Sequence, residues 1–126
     1  MTVKILTVDD SRAVRMIVKK AFKGYDCKIL EAGNGGDALD IAARELPDLI
    51  ILDITMADIS GMEVLERLKQ EDATRGIHVM MLTAEKSSRF MVQAVKLGIK
   101  DYLHKPFKPE QLIESAGRVL ELVPKS

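Results

Sequence analysis

The chain has 126 residues, with 19 Lys plus Arg balancing 19 Asp plus Glu, one Cys, no Trp and 47% hydrophobic residues. That length suits one domain over residues 1–126 with no output domain beside it, the apolar content excludes a disordered chain, and zero net charge gives no electrostatic footprint for nucleic acid or an anionic membrane. A lone cysteine excludes an internal disulfide framework, no apolar run approaches the roughly 20 residues of a bilayer span, and two acids close behind the first apolar stretch argue against a signal peptide, so a small cytoplasmic domain is expected.

In chain order, the first apolar run covers residues 3–8 and leads through Asp9 and Asp10 into a helix. Its stripe is Val14, Ile17, Val18 and Ala21, with Gly24 as the stop and Arg12, Arg15, Lys19, Lys20 and Lys23 on the outer face. Residues 27–31 make the second run, begun by Cys27 as a small apolar group. The stripe Leu39, Ala42, Ala43 and Leu46 follows, ended by Pro47. Residues 49–52 are the third run; Gly61, Val64, Leu65 and Leu68 then line a helix on which Glu63 and Arg67 pair at i,i+4. A fourth run over 78–82 precedes a helix over about 88–97. There a single stripe absorbs Val92, Val95 and Ile99 and leaves Phe90 and Met91 as surplus apolar side chains. The fifth run is 101–104, and Pro109 opens a last helix striped by Leu112, Ala116, Val119, Leu120 and Val123. His78 and His104 read as structural.

Short Val, Ile and Leu runs alternating with helices imply strands buried on both faces of a parallel sheet with right-handed crossovers. Five such units fit an α/β, flavodoxin-like doubly wound (βα)5 three-layer sandwich, sheet order 2-1-3-4-5, with its ligand at the carboxyl ends of the strands. Those ends carry Asp9 and Asp10, then Asp53, then Thr83, then Lys105 and Pro106. Three clustered carboxylates repel one another and call for a divalent cation. An oxygen-only donor set favours Mg²⁺, with Mn²⁺ as the alternative, over zinc. A facing lysine supplies charge and donors for a phosphoryl group.

Val8-Asp9-Asp10-Ser11, Asp53-Ile54-Thr55-Met56, Thr83-Ala84 and Lys105-Pro106-Phe107 together resemble the signatures of response-regulator receiver domains, in particular the single-domain, CheY-like members. The resemblance implies that Asp53 accepts a phosphoryl group from the phosphohistidine of a sensor histidine kinase or phosphotransfer protein. It implies further that Asp10, Asp53 and the Thr55 carbonyl ligate Mg²⁺, with Asp9 acting largely through a water on that cation. Thr83 and Lys105 would contact the phosphoryl group, the Lys105–Pro106 peptide would be cis, and Tyr102 would turn inward as Thr83 moves. Ala84 would keep the site open, and Met56 and Glu85 would tune dephosphorylation. Ala57 stands where many relatives have proline, which leaves the stiffness of residues 56–60 open. The implied role is a signalling phosphoacceptor, promoting only its own phosphorylation and dephosphorylation, in chemotaxis-type or phosphorelay signalling. It would be a monomer, dimerisation on phosphorylation being left open.

Gly33-Asn34-Gly35-Gly36-Asp37-Ala38 fits a dinucleotide-binding G-x-G-x-x-A pattern, and Asp53 lies 20 residues beyond Gly33. On an edge strand, however, that loop misses the crevice, and a Gly-rich turn with Asn34 or Gly35 opening the helix is the preferred reading. An aspartyl-nucleophile phosphatase of the haloacid-dehalogenase type needs a second Asp where Thr55 stands. A pseudo-receiver acting only as a docking module is a further alternative. For output, Phe90, Met91 and Tyr102 are expected on a partner face of helix 4, strand 5 and helix 5, rimmed by Arg89, Lys96, Lys100 and Lys108. The downstream target is not identified by the sequence.

Overall fold

Alternation of short apolar runs with helices decides the architecture. The computed structural model describes residues 2–54, 56, 58–84 and 88–125, the side chains of residues 88 and 89 excepted. The elements run β1 (Val3–Val8), α1 (Arg12–Ala21), β2 (Cys27–Ala32), α2 (Gly35–Glu45), β3 (Leu49–Asp53), α3 (Gly61–Gln70), β4 (His78–Thr83), α4 (Ser88–Lys96), β5 (Asp101–His104) and α5 (Pro109–Gly117). The five strands pair in parallel in the order β2-β1-β3-β4-β5, the flavodoxin-like doubly wound arrangement expected from the alternation.

Successive strand residues point to opposite faces, and both faces are covered. Ile5, Leu49, Ile51, Met80 and Leu82 pack with Val18 and Phe22 at α1 and Leu112 and Ala116 of α5. Leu6, Val8, Ile50, Leu52, Val79 and Met81 pack with residues of α2, α3 and α4, among them Ala42, Leu65 and Ala94. Each fully buried Leu, Ile or Met side chain contributes roughly 1.5–3 kcal/mol. An exposed ion pair such as Glu63–Arg67, at 2.8 Å, adds at most about 1 kcal/mol. The two apolar layers therefore hold the sheet, and the sheet fixes the height of the strand ends: Val8 lies opposite Leu52, Asp53 opposite Leu82 and Thr83 opposite His104.

Several helical faces differ from the expected stripes. α1 ends at Ala21 with Phe22 as its cap, before Gly24, and Ile17 is 43% exposed while Phe22 is buried. On α2 the buried positions are Gly35, Ala38 and Ala42; Leu46 is exposed because it sits past the helix end with φ 46°. On α4 the stripe is rotated. Val92 and Val95 are 53% and 59% exposed, whereas Ala94 is buried and Phe90, Leu97 and Ile99 pack on the core. α5 stops at Gly117, so Val119 and Leu120 reach the core from the following turn and Val123 is exposed. In each case apolar residues outnumber the positions one face can bury, and on α2 and α4 small residues such as Ala38, Ala42 and Ala94 take the closest contacts.

Candidate functional site

The polar residues at the strand ends meet on one rim. Asp9 follows β1 and is 2% exposed; Asp53 closes β3 at 4%, and Thr83 closes β4 fully buried. Asp10 is exposed. Oxygen atoms of Asp9, Asp10 and Asp53 all lie within 4.8 Å of one another. The Lys105 ammonium, just past β5, is 2.8 Å from Asp9 Oδ2 and 3.4 Å from Asp53 Oδ1. Its backbone N–H donates to the Thr83 carbonyl at 2.8 Å, and the Lys105–Pro106 peptide is cis.

Burial pulls the Lys105 pKa down, but the hydrogen bond to Asp9 and the charge of Asp53 outweigh it, and the net shift is upward. The lysine therefore stays charged and offsets part of the negative charge of the rim. One ammonium cannot balance three carboxylates. Hard oxygen donors at this spacing suit a small divalent cation such as Mg²⁺, which prefers few carboxylates and retains waters.

Local sequence explains why these groups hold still. Ser11 caps α1, accepting from Val14 N–H, and its own N–H donates to Asp9 Oδ1 at 2.9 Å. Asp9 N–H donates to the Ala32 carbonyl at 3.1 Å. Behind Asp53, the N–H of Gly61 donates to the Ile54 carbonyl at 2.6 Å. A Cβ on Gly61 would fall 2.0 Å from the Asp53 carbonyl oxygen, so only glycine lets α3 start this close to the end of β3.

Of the other expected site residues, Met56 is buried beneath the rim and Ala84 is exposed just after β4. Thr55, Ala57 and Glu85 lie outside the described residues. Tyr102 is half-buried on β5, beside the α4 face, with its ring edge-on to His104 at 5.4 Å between centroids. Phe90 and Met91 are half-buried, and Lys96, Lys100 and Lys108 are exposed; the Arg89 side chain lies outside the described residues.

The Gly-rich turn has a packing explanation. Asn34 caps α2 by accepting from Asp37 N–H, and the N–H groups of Gly35 and Gly36 donate to the Asp58 carboxylate at 2.9 and 3.1 Å. Those amide bonds, with one from Ile59, hold the Asp58 pKa below the usual carboxylate value. A Cβ on Gly35 would meet Ile59 and Val64 at 2.9 Å. The helix start that a pyrophosphate would need is thus filled by the chain itself.

Arg15, Ser11, Glu31 and Gly61 support the rim and are not evident as site residues in the sequence. The basic pattern of α1 places Arg15 on its outer face, but its side chain is only 17% exposed and reaches the Asp9 carbonyl.

The family model described as "Response regulator receiver domain" matches residues 5–116. The chain is 32% identical over 122 residues to the chemotaxis protein CheY of Bacillus subtilis, covering 95% of this chain and 99% of that protein. It is 32% identical over 122 residues to the sporulation initiation phosphotransferase F of the same organism, covering 97% of each. Identity to the phosphate regulon transcriptional regulatory protein PhoB of Pseudomonas aeruginosa is 37% over 118 residues and 92% of this chain, which spans only about half (51%) of that longer relative. Among solved structures, the signal receiver domain of a LuxO repressor protein from Vibrio parahaemolyticus superposes with a TM-score of 0.90 at 30% identity, over 96% of this chain and 92% of that one.

Proposed function

Since the chain belongs to the response-regulator receiver domain family of two-component signalling, we infer that it is a response-regulator receiver that takes a phosphoryl group on Asp53. The observation that carries this reading is the rim itself: three carboxylates within 4.8 Å at the ends of the adjacent strands β1 and β3, two of them touched by Lys105 from the end of β5. An Asp53 oxygen attacks phosphorus, the bond from phosphorus to the imidazole nitrogen of a histidine kinase or phosphotransfer protein breaks, and that nitrogen recovers a proton. Asp9, Asp10, Asp53 and the Thr55 carbonyl would hold Mg²⁺, or Mn²⁺ in its place. When bound, the cation screens the charge that develops on the phosphoryl oxygens. Lys105 exchanges its Asp53 contact for a phosphoryl oxygen, and the Thr83 hydroxyl, buried one strand away, donates to another.

Movement of Thr83 would draw Tyr102 inward and alter the face made by α4, β5 and α5. The exposed Val92 and Val95, beside Phe90 and Met91, give that face apolar surface for a downstream protein. Met16 and Ile17, 48% and 43% exposed beside Lys19, Lys20 and Lys23, suit α1 to meeting the phosphoryl donor. Met56, Ala84 and Glu85 would set how fast the acyl phosphate is lost. A cytoplasmic monomer in chemotaxis-type or phosphorelay signalling fits both full-length relatives. No helix among the described residues is long and apolar enough to cross a membrane.

Acetyl phosphate with Mg²⁺ tests this. Intact mass rises by one phosphoryl group, EDTA prevents the gain, and Asp53→Asn abolishes it. Incorporation that survives Asp53→Asn overturns the assignment, and partner binding indifferent to Asp53→Asn identifies a pseudo-receiver.

A further inference from the structure

Two acids on consecutive residues can serve one cation only if the peptide between them is held at one angle. Rotation of the Asp9–Asp10 peptide plane would swing Asp10, which is exposed, away from the buried Asp9 and Asp53. The carbonyl of that peptide has a dedicated partner. Arg15 Nη1 donates to the Asp9 carbonyl at 2.5 Å, while Arg15 Nε donates to Glu31 Oε1 at 3.1 Å. Glu31 stands next to last on β2, and its other oxygen accepts from Lys19 at 3.2 Å. The guanidinium passes close under Gly33, where a Cβ would lie 3.4 Å from Nη1. The fork thus spans from the loop after β1 to the edge strand, clamped by helix, strand and turn.

Charge and geometry oppose each other here. A guanidinium one peptide from a cation site repels the cation, and the Glu31 carboxylate beside it cancels much of that field. What survives cancellation is the direction of the Nη1–H bond. We propose that Arg15, braced by Glu31, is a positioning residue that sets the Asp9–Asp10 peptide and thereby presents Asp10 to a divalent cation alongside Asp9 and Asp53. This rests on the cation role proposed above. Neither Arg15 nor Glu31 touches the cation or the reacting atoms; both act through the backbone.

The sign of one measurement separates a brace from a charge. Mg²⁺ binding to the full chain is followed by titration calorimetry without any phosphoryl donor. Arg15→Met should weaken Mg²⁺ by about 10-fold, the scale typical of groups that orient ligands, although it deletes a repelling charge. Lys19→Met, which removes the other cation on Glu31 without touching Asp9, should leave Mg²⁺ binding unchanged or slightly tighter. Arg15→Lys should be weakened as well, because a single ammonium cannot span Asp9 and Glu31 as the planar fork does. It also serves as the test variant if Arg15→Met does not fold, with thermal unfolding in EDTA checking both.

Mg²⁺ bound by Arg15→Met or Arg15→Lys as tightly as by wild type overturns the brace while leaving the cation site standing. Equal weakening in Lys19→Met also overturns it, since the loss would then not follow the Asp9 contact. Failure of the wild-type chain to bind Mg²⁺ overturns the cation reading and the brace with it.

Discussion

At the residue scale, close approach and charge pairing decide which side chains are replaceable. Gly61 lies against the backbone of Asp53 and Ile54, so Gly61→Ala must push α3 away from β3; a loss of about 1–3 kcal/mol, the usual cost of overpacking, is expected in the guanidinium unfolding midpoint, with weaker phosphoryl uptake alongside. Glu31 titrates against two cations. Burial raises its pKa, but the hydrogen bonds from Lys19 and Arg15 outweigh that, and the value falls below that of an ordinary glutamate. A carboxylate with a depressed folded pKa stabilises at pH above its unfolded value of about 4.3 and loses that contribution as pH falls through the folded value. The stability gap between wild type and Glu31→Gln should therefore be full at neutral pH and shrink progressively as pH falls below about 4.3, as urea titrations at several pH values would show. Asp9, Asp10, Asp53, Thr83 and Lys105 were legible in the sequence because each ends an apolar run. Arg15, Glu31 and Gly61 were not, since their partners are backbone atoms or residues on other elements that no local pattern marks.

At the element scale, the sheet was readable and the helix faces only partly so. A strand buried on both faces reads as a continuous apolar run, as β3 does over Leu49–Leu52 before the buried Asp53 that ends it. Helices offer more apolar residues than they can bury. On α4 the spacing of Val92, Val95 and Ile99 suggested the inner stripe, but the sheet takes Phe90, Ala94 and Leu97, because larger side chains and one small contact point fill the groove better than two valines. The exposed valines are free to meet a partner. Val92→Asp with Val95→Asp should leave phosphoryl uptake at Asp53 intact while abolishing capture of the downstream protein, measured with phosphorylated chain. The end of α2 offers a stabilising change. Leu46 is a non-glycine residue in the left-handed region, 52% exposed, and Leu46→Asn should raise stability by about 0.5–1 kcal/mol, since asparagine tolerates that conformation better.

At the scale of the whole molecule, cation binding at the rim would be coupled to folding. Its members sit at positions 9, 10, 53 and 105 and meet only when the strands they follow are paired. Mg²⁺ at 100 times its Kd should accordingly stabilise the fold by about 2.7 kcal/mol, read as a rise in Tm. Asp10→Asn should erase that rise and, by relieving repulsion, unfold at a slightly higher temperature than wild type in EDTA. The strand order adds a consequence in time. During synthesis the chain leaves the ribosome amino end first, so β1 and β3 can deliver their three carboxylates long before residue 105 emerges. Until β5 docks beside β4, those acids lack the ammonium that pairs with Asp9 and Asp53. Lys105 thus acts as a receipt for an assembled sheet: a chain that stops after β4 would bring Asp9, Asp10 and Asp53 together without the ammonium that faces them.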